Sequence, residues 1–389
     1  MSPARPAADR IDRLGALLVA IGALAVALLP PLVFKANRIM PGEPRQLLDL
    51  LPAWGSVTLG LTLLCAALAA LLVRDARVRL IAALAAIAVL ALSLGYAADV
   101  LTPPGNRVLR VAPGSGFWIL IVSLGLLATD ALTRLRPGPA WRVLILAAFL
   151  TVVILALGSG RFDDLSIMRE YAVNADRFAQ EARRHLLLAL GTLIAAVIVA
   201  LPLGVLCHRL PRLRAGVLGV LNLVQTVPSI ALFGILMAPL AALALAFPAL
   251  AALGVSGIGA APAAIALFLY SLLPIVANTV VGLGRVSPAA VDAARGMGLT
   301  GAQVLREVEL PLAMPAILTG IRIVLVQNIG MVTIAALIGG GGFGAFVFQG
   351  IGQTAIDLVL LGAIPTIVLA FSAAVVLDAL TDLTRRVPQ

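Results

Sequence analysis

Lysine, histidine, cysteine and charge are all scarce in this 389-residue chain, and each scarcity closes off a chemistry. Lys35 is the only lysine and follows Phe34 with no glycine-rich approach, so the chain has no P-loop with which to bind and hydrolyse ATP itself. The two histidines, His185 and His208, stand far apart without a ligand cluster, so no metal site is expected and both are read as interfacial side chains. Cys65 and Cys207 lie inside apolar runs, where they read as small buried hydrophobes and not as a disulfide framework. Charged residues make up only 12% of the chain against 61% hydrophobic, with a mean hydropathy of +1.10. A soluble domain carries about a quarter charged residues. That excludes an ordinary soluble protein and predicts an all-α polytopic membrane protein.

What is present is a succession of apolar runs. Stretches long enough to span a bilayer, about 17 to 25 residues, occur at 14–34, 56–73, 80–98, 115–133, 143–159, 186–207, 215–237, 261–284, 313–338 and 354–377. They predict about ten transmembrane helices in three parts: an N-terminal five-helix membrane extension over 1–159, an outer interfacial amphipathic helix over 160–185, and a five-helix core over 186–389. Phe162, Leu165, Met168, Tyr171, Ala175, Phe178 and Ala182 set the helical spacing of the middle part. Ala238 to Ser256 reads as a hairpin or loop on the outer side. Ala25-Val26-Ala27 has the small-residue pattern of a signal cleavage site, but the apolar run continues through Phe34, so a retained first helix is expected.

One polar interlude interrupts the core, SPAAVDAARGMGLTGAQVLREVELPLAMP from Ser287 to Pro315. Ser287 suits an N-cap and Pro288 the first helical position, while Gly298 can take the left-handed conformation that stops a helix. Thr300 with Gln303 makes a capping box for a second short helix that Pro311 is expected to limit. Two such helices are too short to cross a bilayer, so this is a surface on which something docks.

These residues also carry a resemblance. Asp292, Ala293 and Ala294, then Gly298, Val308, Leu310 and Pro311, resemble the EAA loop of ABC importer permeases, with Asp for the usual Glu and Val for the usual Ile. QTVPSIALFG at 225–234, YSLLPIVANTVVGL at 270–283 and IGMVTIAALIGGGGFGAFVFQGI at 329–351 resemble permeases that import osmoprotectants such as glycine betaine, choline and related quaternary amines. Residues 1 to about 159 resemble the extended N-terminus of a Yeh-type subgroup. The resemblance implies a MetI-like permease core whose EAA-like coupling loop, 287–312, faces the cytoplasm and docks a separate ABC ATPase that holds the ATP and Mg. It further implies an extracytoplasmic substrate-binding protein, a second permease copy or sister permease, no cofactor on this chain and no enzyme activity of its own. With the loop inside, parity puts 17 basic residues inside and ten outside, with Arg322 within a span. That is the bias expected of an inner-membrane protein with both termini cytoplasmic. The basic residues fall in short clusters between spans, which argues against nucleic-acid binding.

Polar side chains inside the spans are the remaining signal, because a desolvated polar group needs a partner or a wet path. Gln225 and Thr226 precede Pro228; Tyr270 and Asn278 flank Pro274; Gln327 and Asn328 follow on the next span. They read either as a translocation path for a small cationic or zwitterionic solute or as interhelical hydrogen bonds worth about 0.6 kcal/mol each. Gly339, Gly341 and Gly344 spell G-x-G-x-x-G, yet no strand precedes them, so they read as a hinge or gate and not as a dinucleotide loop. Rival readings are an amino-acid or methionine importer permease, an ATPase-independent secondary carrier, or a membrane sensor. A carrier usually shows an ionisable residue at mid-span, and the core offers only Arg322, roughly a third of the way into its span, and Asp357 near a span end, which weakens the carrier reading.

Overall fold

The computed structural model describes residues 12–38, 40, 42–106 and 108–385. Four of the basic residues in the inside-outside count, Arg5, Arg10, Arg107 and Arg386, lie with the chain termini outside the described residues. The described chain divides into two compact units, one of residues up to 137 with 148–173, the other of 138–147 with 174 onward.

The first unit holds α1 (Arg13–Leu28), α2 (Ala53–Leu72), α3 (Ala76–Leu101), α4 (Ser115–Leu135), most of α5 (Pro139–Leu157) and α6 (Ser166–Val173). It also holds a small sheet that the apolar runs did not reveal. Its strands β1 (Leu32–Lys35), β2 (Glu43–Arg45) and β3 (Arg110–Pro113) run antiparallel in the order β2-β1-β3. The first apolar run, 14–34, is therefore not one helix. Pro30 and Pro31 push the residues before them out of the helical region, α1 stops at Leu28, and the remainder becomes β1. The helices pack through small residues, Ala66 and Ala70 on α2, Ala83, Ala86 and Ala97 on α3, which is how membrane helices approach closely. At one end of the bundle Asp12 caps α1, receiving the Leu14 and Gly15 N–H groups at 3.1 and 3.3 Å, and also pairs with Arg79 and with Arg134. Asp130 adds a second carboxylate, 2.7 Å from Arg134. The hydrogen bond from Arg79 holds the Asp12 carboxyl below the usual carboxylate range.

The second unit contains the start of α5, then α7 (Ala175–Arg209), α8 (Pro211–Thr226), α9 (Ser229–Ala246), α10 (Pro248–Ala252), α11 (Ala260–Gly284), α12 (Pro288–Gly296), α13 (Gly301–Ile338), α14 (Gly344–Gly352) and α15 (Ile356–Arg385). The interfacial helix expected over 160–185 is two helices broken at Asn174, and the second runs without interruption into the first core span. The resulting α7 has 35 residues, about 52 Å at 1.5 Å per residue. The run 215–237 is likewise two helices, because Pro228 has no N–H to continue α8. Parity survives the break. Arg209 at the end of α7 meets Glu309 near the start of α13, and Gly259 before α11 donates to Ile338 at the end of α13, so α8 and α9 together make one passage. The long apolar segment after 237 prolongs α9 to Ala246 and adds α10, instead of forming an eleventh crossing. Among the described residues nine helices are long and apolar enough to cross a membrane; the sixteen-residue α1 is shorter. The core of this unit is a three-helix seam of Ala189, Ala196 and Ala200 on α7, Leu267, Ile275 and Val276 on α11, and Val324, Ile329 and Val332 on α13.

Candidate coupling surface, path and gate

The turn after α12 is closed by its own backbone. Gly298 takes a φ of +87°, its N–H reaches the Arg295 carbonyl at 2.9 Å, and Leu299 reaches Ala294 at 3.2 Å, the paired bonds of a Schellman stop. Thr300 then opens α13 with the capping box in place. The Gln303 backbone N–H donates to the Thr300 hydroxyl at 3.4 Å, and the Gln303 side-chain Oε1 receives the Thr300 backbone N–H at 2.9 Å. Ser287 stands at the N-cap of α12 without a side-chain bond. Pro311 does not limit the second helix. The turns before it, Val304–Glu309, widen into a π-helix in which the Leu310 N–H reaches back to Leu305, and this extra residue per turn accommodates a proline that can donate nothing. The helix that begins at the turn is thus the span itself.

Of the coupling residues, Ala294 is buried and anchors α12, whereas Asp292, Ala293 and Gly298 face outward. The Asp292 side chain is 74% exposed and lies 3.9 Å from Arg295. Val308 and Leu310 are half-buried and Pro311 exposed, beside Glu309, which is buried against Arg209 of α7. Sequence reasoning missed Glu309 because its partner lies 100 residues away.

The six polar path residues divide. Pro274 lacks an N–H, which leaves the Tyr270 carbonyl without its helical donor, and Gln225 supplies one at 2.8 Å. The Tyr270 hydroxyl in turn donates to the Val227 carbonyl at the break between α8 and α9. Gln225 and Tyr270 therefore repair two proline interruptions. Asn328 is fully buried in the seam, receiving a hydrogen bond from Ser271 of α11 at 3.2 Å and donating to Thr192 of α7 at 3.1 Å. It straps three helices together. Thr226 is exposed and bonds its own helix at Leu223. Asn278 and Gln327 are half-buried, with local contacts to Pro274 and to the Met331 sulfur. Arg322 is paired with Asp378 on α15, which Arg142 on α5 also contacts at 2.8 Å. The mid-span charge is neutralised inside the unit.

The glycine-rich turn is gripped from α7. Gly339, Gly341 and Gly342 all have positive φ, and Gly344 opens α14 against the Thr333 backbone. The Gly342 N–H donates to Glu181 at 2.7 Å and the Phe343 N–H to His185 Nδ1 at 3.3 Å. Since Nδ1 accepts, Nε2 carries the proton of the neutral ring and donates to the Ile329 carbonyl at 3.0 Å. Arg177, one turn before Glu181, donates to Gln349 at 2.6 Å and stands 5.0 Å over the Phe346 ring. His185 is thus fully buried and not interfacial, and the turn is held instead of loose. The 177, 181, 185 spacing on one helix face was the signal available in the sequence.

Comparison with known proteins gives two family matches. Residues 12–168 match the N-terminal domain of the ABC transporter permease YehY, and residues 194–386 match the binding-protein-dependent transport system inner membrane component. The chain is 37% identical over 205 residues to the carnitine transport permease protein OpuCB of Listeria monocytogenes, covering 53% of this chain and 87% of that one. It is 36% identical over 213 residues to the glycine betaine/carnitine/choline transport system permease protein OpuCB of Bacillus subtilis, covering 55% and 89%. The osmoprotectant import permease protein OsmW of Salmonella typhimurium is 48% identical over 109 residues, 28% of this chain and 51% of that one. A solved inward-facing structure of the MetNI methionine ABC transporter overlays 54% of this chain and 96% of its own at a TM-score of 0.47 and 20% identity.

Proposed function

This chain belongs to the family of binding-protein-dependent transport system inner membrane components, and from that membership we propose that it is the permease of an importer for quaternary-amine osmoprotectants such as glycine betaine or choline. The observation that carries the reading is the exposed turn from Pro288 to Gln303. Its backbone is satisfied internally by Gly298 and the Thr300 box, so Asp292, Arg295 and the 74%-exposed Met297 are left for another protein. A separate ATPase, carrying ATP and Mg, docks there from the cytoplasm, and a binding protein delivers solute on the opposite side to a pair of permease subunits. Asn278 and Gln327 are the path residues whose half-buried polar ends are not tied to another helix.

Uptake of labelled glycine betaine into proteoliposomes holding this permease and its ATPase is expected only with both binding protein and ATP. Saturable, ion-gradient-driven uptake without them would replace this reading with a secondary carrier. In the same vesicles a cysteine at position 302 should be reachable only from the ATPase side and one at position 174 only from the other. The reverse pattern would overturn the orientation.

A further inference from the structure

The two ends of α7 are tied to the two parts of the core that must communicate. At one end Arg209 pairs with the buried carboxylate of Glu309, inside the π-helical turns through which α13 leaves the coupling surface. At the other, Glu181 and His185 hold the backbone N–H groups of Gly342 and Phe343, and His185 also holds α13 itself at the Ile329 carbonyl. The two ends belong to one 35-residue helix, Ala175–Arg209, with Ala189, Ala196 and Ala200 fully buried in the seam and Pro202 inside it toward the Arg209 end. Pro202 removes one helical hydrogen bond, but α7 is packed on both sides of it, at Ala200 and at Gly204 and Cys207. A helix gripped along its length in this way carries a displacement at Glu309 toward Gly342. The latch also has the form of a switch: two backbone donors in a left-handed turn converge on one carboxylate and one imidazole, and both acceptors are lost together if the helix shifts.

We propose that Glu181 and His185 are positioning residues that lock the glycine-rich turn closed, and that α7 is the rod through which the coupling surface releases them. The inference rests on the gate reading of Gly339–Gly344.

The test uses the full chain reconstituted with its ATPase and binding protein, with Cys65→Ser and Cys207→Ala removing native thiols and Ala345→Cys as reporter. The rate of labelling by an impermeant maleimide from the binding-protein side is compared with and without ATP. The starting chain should label slowly at rest and faster during turnover. Glu181→Ala and His185→Ala should label fast at rest, hydrolyse ATP without the binding protein, and lose uptake roughly tenfold, the scale of one buried hydrogen bond. Glu181→Gln, which keeps an acceptor for Gly342, should restore slow labelling. His185→Asn, which keeps an acceptor near Nδ1, should restore more than His185→Gln, which retains only the bond to Ile329. Arg209→Ala should abolish the response to ATP, and combined with Glu181→Ala should add no further loss of uptake. Labelling that responds to ATP in the starting chain but is unchanged by Glu181→Ala, or additive losses in the double variant, would overturn the latch and rod while leaving the gate. Labelling that never responds to ATP would overturn the gate reading, and the latch with it. Parallel losses of folded protein, labelling and uptake, with no rescue by Glu181→Gln, would reduce these residues to packing.

Discussion

Two turns of the core solve the same backbone problem in opposite surroundings. Gly298 and Gly342 both hold positive φ, +87° and +81°, yet a Cβ on Gly298 would meet open space, while one on Gly342 would stand 3.0 Å from His185 Nδ1 and from Val332 Cγ1. The first turn is stabilised by its own hydrogen bonds and keeps its flanks free. The second is stabilised by side chains of another helix and has no free flank. Self-sufficiency suits a surface that must accept and release a partner, whereas dependence on α7 makes the second turn responsive to where that helix stands.

The largest effect that would break or confirm this contrast is expected at the crowded turn. Gly342→Ala combines the cost of a left-handed alanine, about 1 kcal/mol, with a contact that forces His185 or Val332 aside. It should lower thermal stability in detergent and reduce uptake at least roughly tenfold, since a displaced His185 forfeits a buried hydrogen bond. Near-normal uptake at normal expression would show that the turn is not held as described.

At the open turn the same chemistry should leave the fold intact. Gly298→Val strains only the local backbone, and Asp292→Lys reverses a charge that is 74% exposed. Both variants should insert, Asp292→Lys melting like the parent and Gly298→Val losing only the about 1 to 3 kcal/mol of a left-handed valine. Both should nonetheless bind less ATPase in co-purification and transport several-fold less, on the scale of a lost docking contact. A loss of stability in Asp292→Lys comparable with Gly342→Ala would erase the distinction between the turns.

The difference in surroundings also explains how much could be read from the chain alone. The Gly298 stop and the Thr300 box were legible because every group involved lies within about six residues, and capping is a local code. The bundle of apolar spans was legible from run lengths. Glu181, His185 and Glu309 were not, since their partners lie 161, 158 or 144, and 100 residues away, and only the fold brings them together. Gln225 looked like path because it is polar and mid-span; the missing N–H at Pro274, 49 positions on, is what it serves. Pro311 misled in the opposite sense. A proline ends a helix only when the preceding turns cannot widen, and Val304–Glu309 do widen.

The smallest effect sharpens the contrast furthest. Thr300→Ala removes both bonds of the capping box, the 3.4 Å bond received from Gln303 and the support for the 2.9 Å bond in return, at a cost of about 1 kcal/mol typical of N-caps. Because Thr300 and Gly301 to Gln303 are exposed, that cost should stay in the first turn of α13. Amide hydrogen exchange should quicken over 301–303 by roughly fivefold, the Boltzmann factor for about 1 kcal/mol, while exchange at Gly342 and Phe343 stays as in the parent. Uptake should fall no more than about twofold to fivefold, less than in Gly298→Val, since fraying redirects the helix start without reversing the turn. If exchange at Gly342 rose as well, the coupling surface and the far turn would be communicating through α13 alone, and the self-contained character assigned to the Gly298 turn would be wrong.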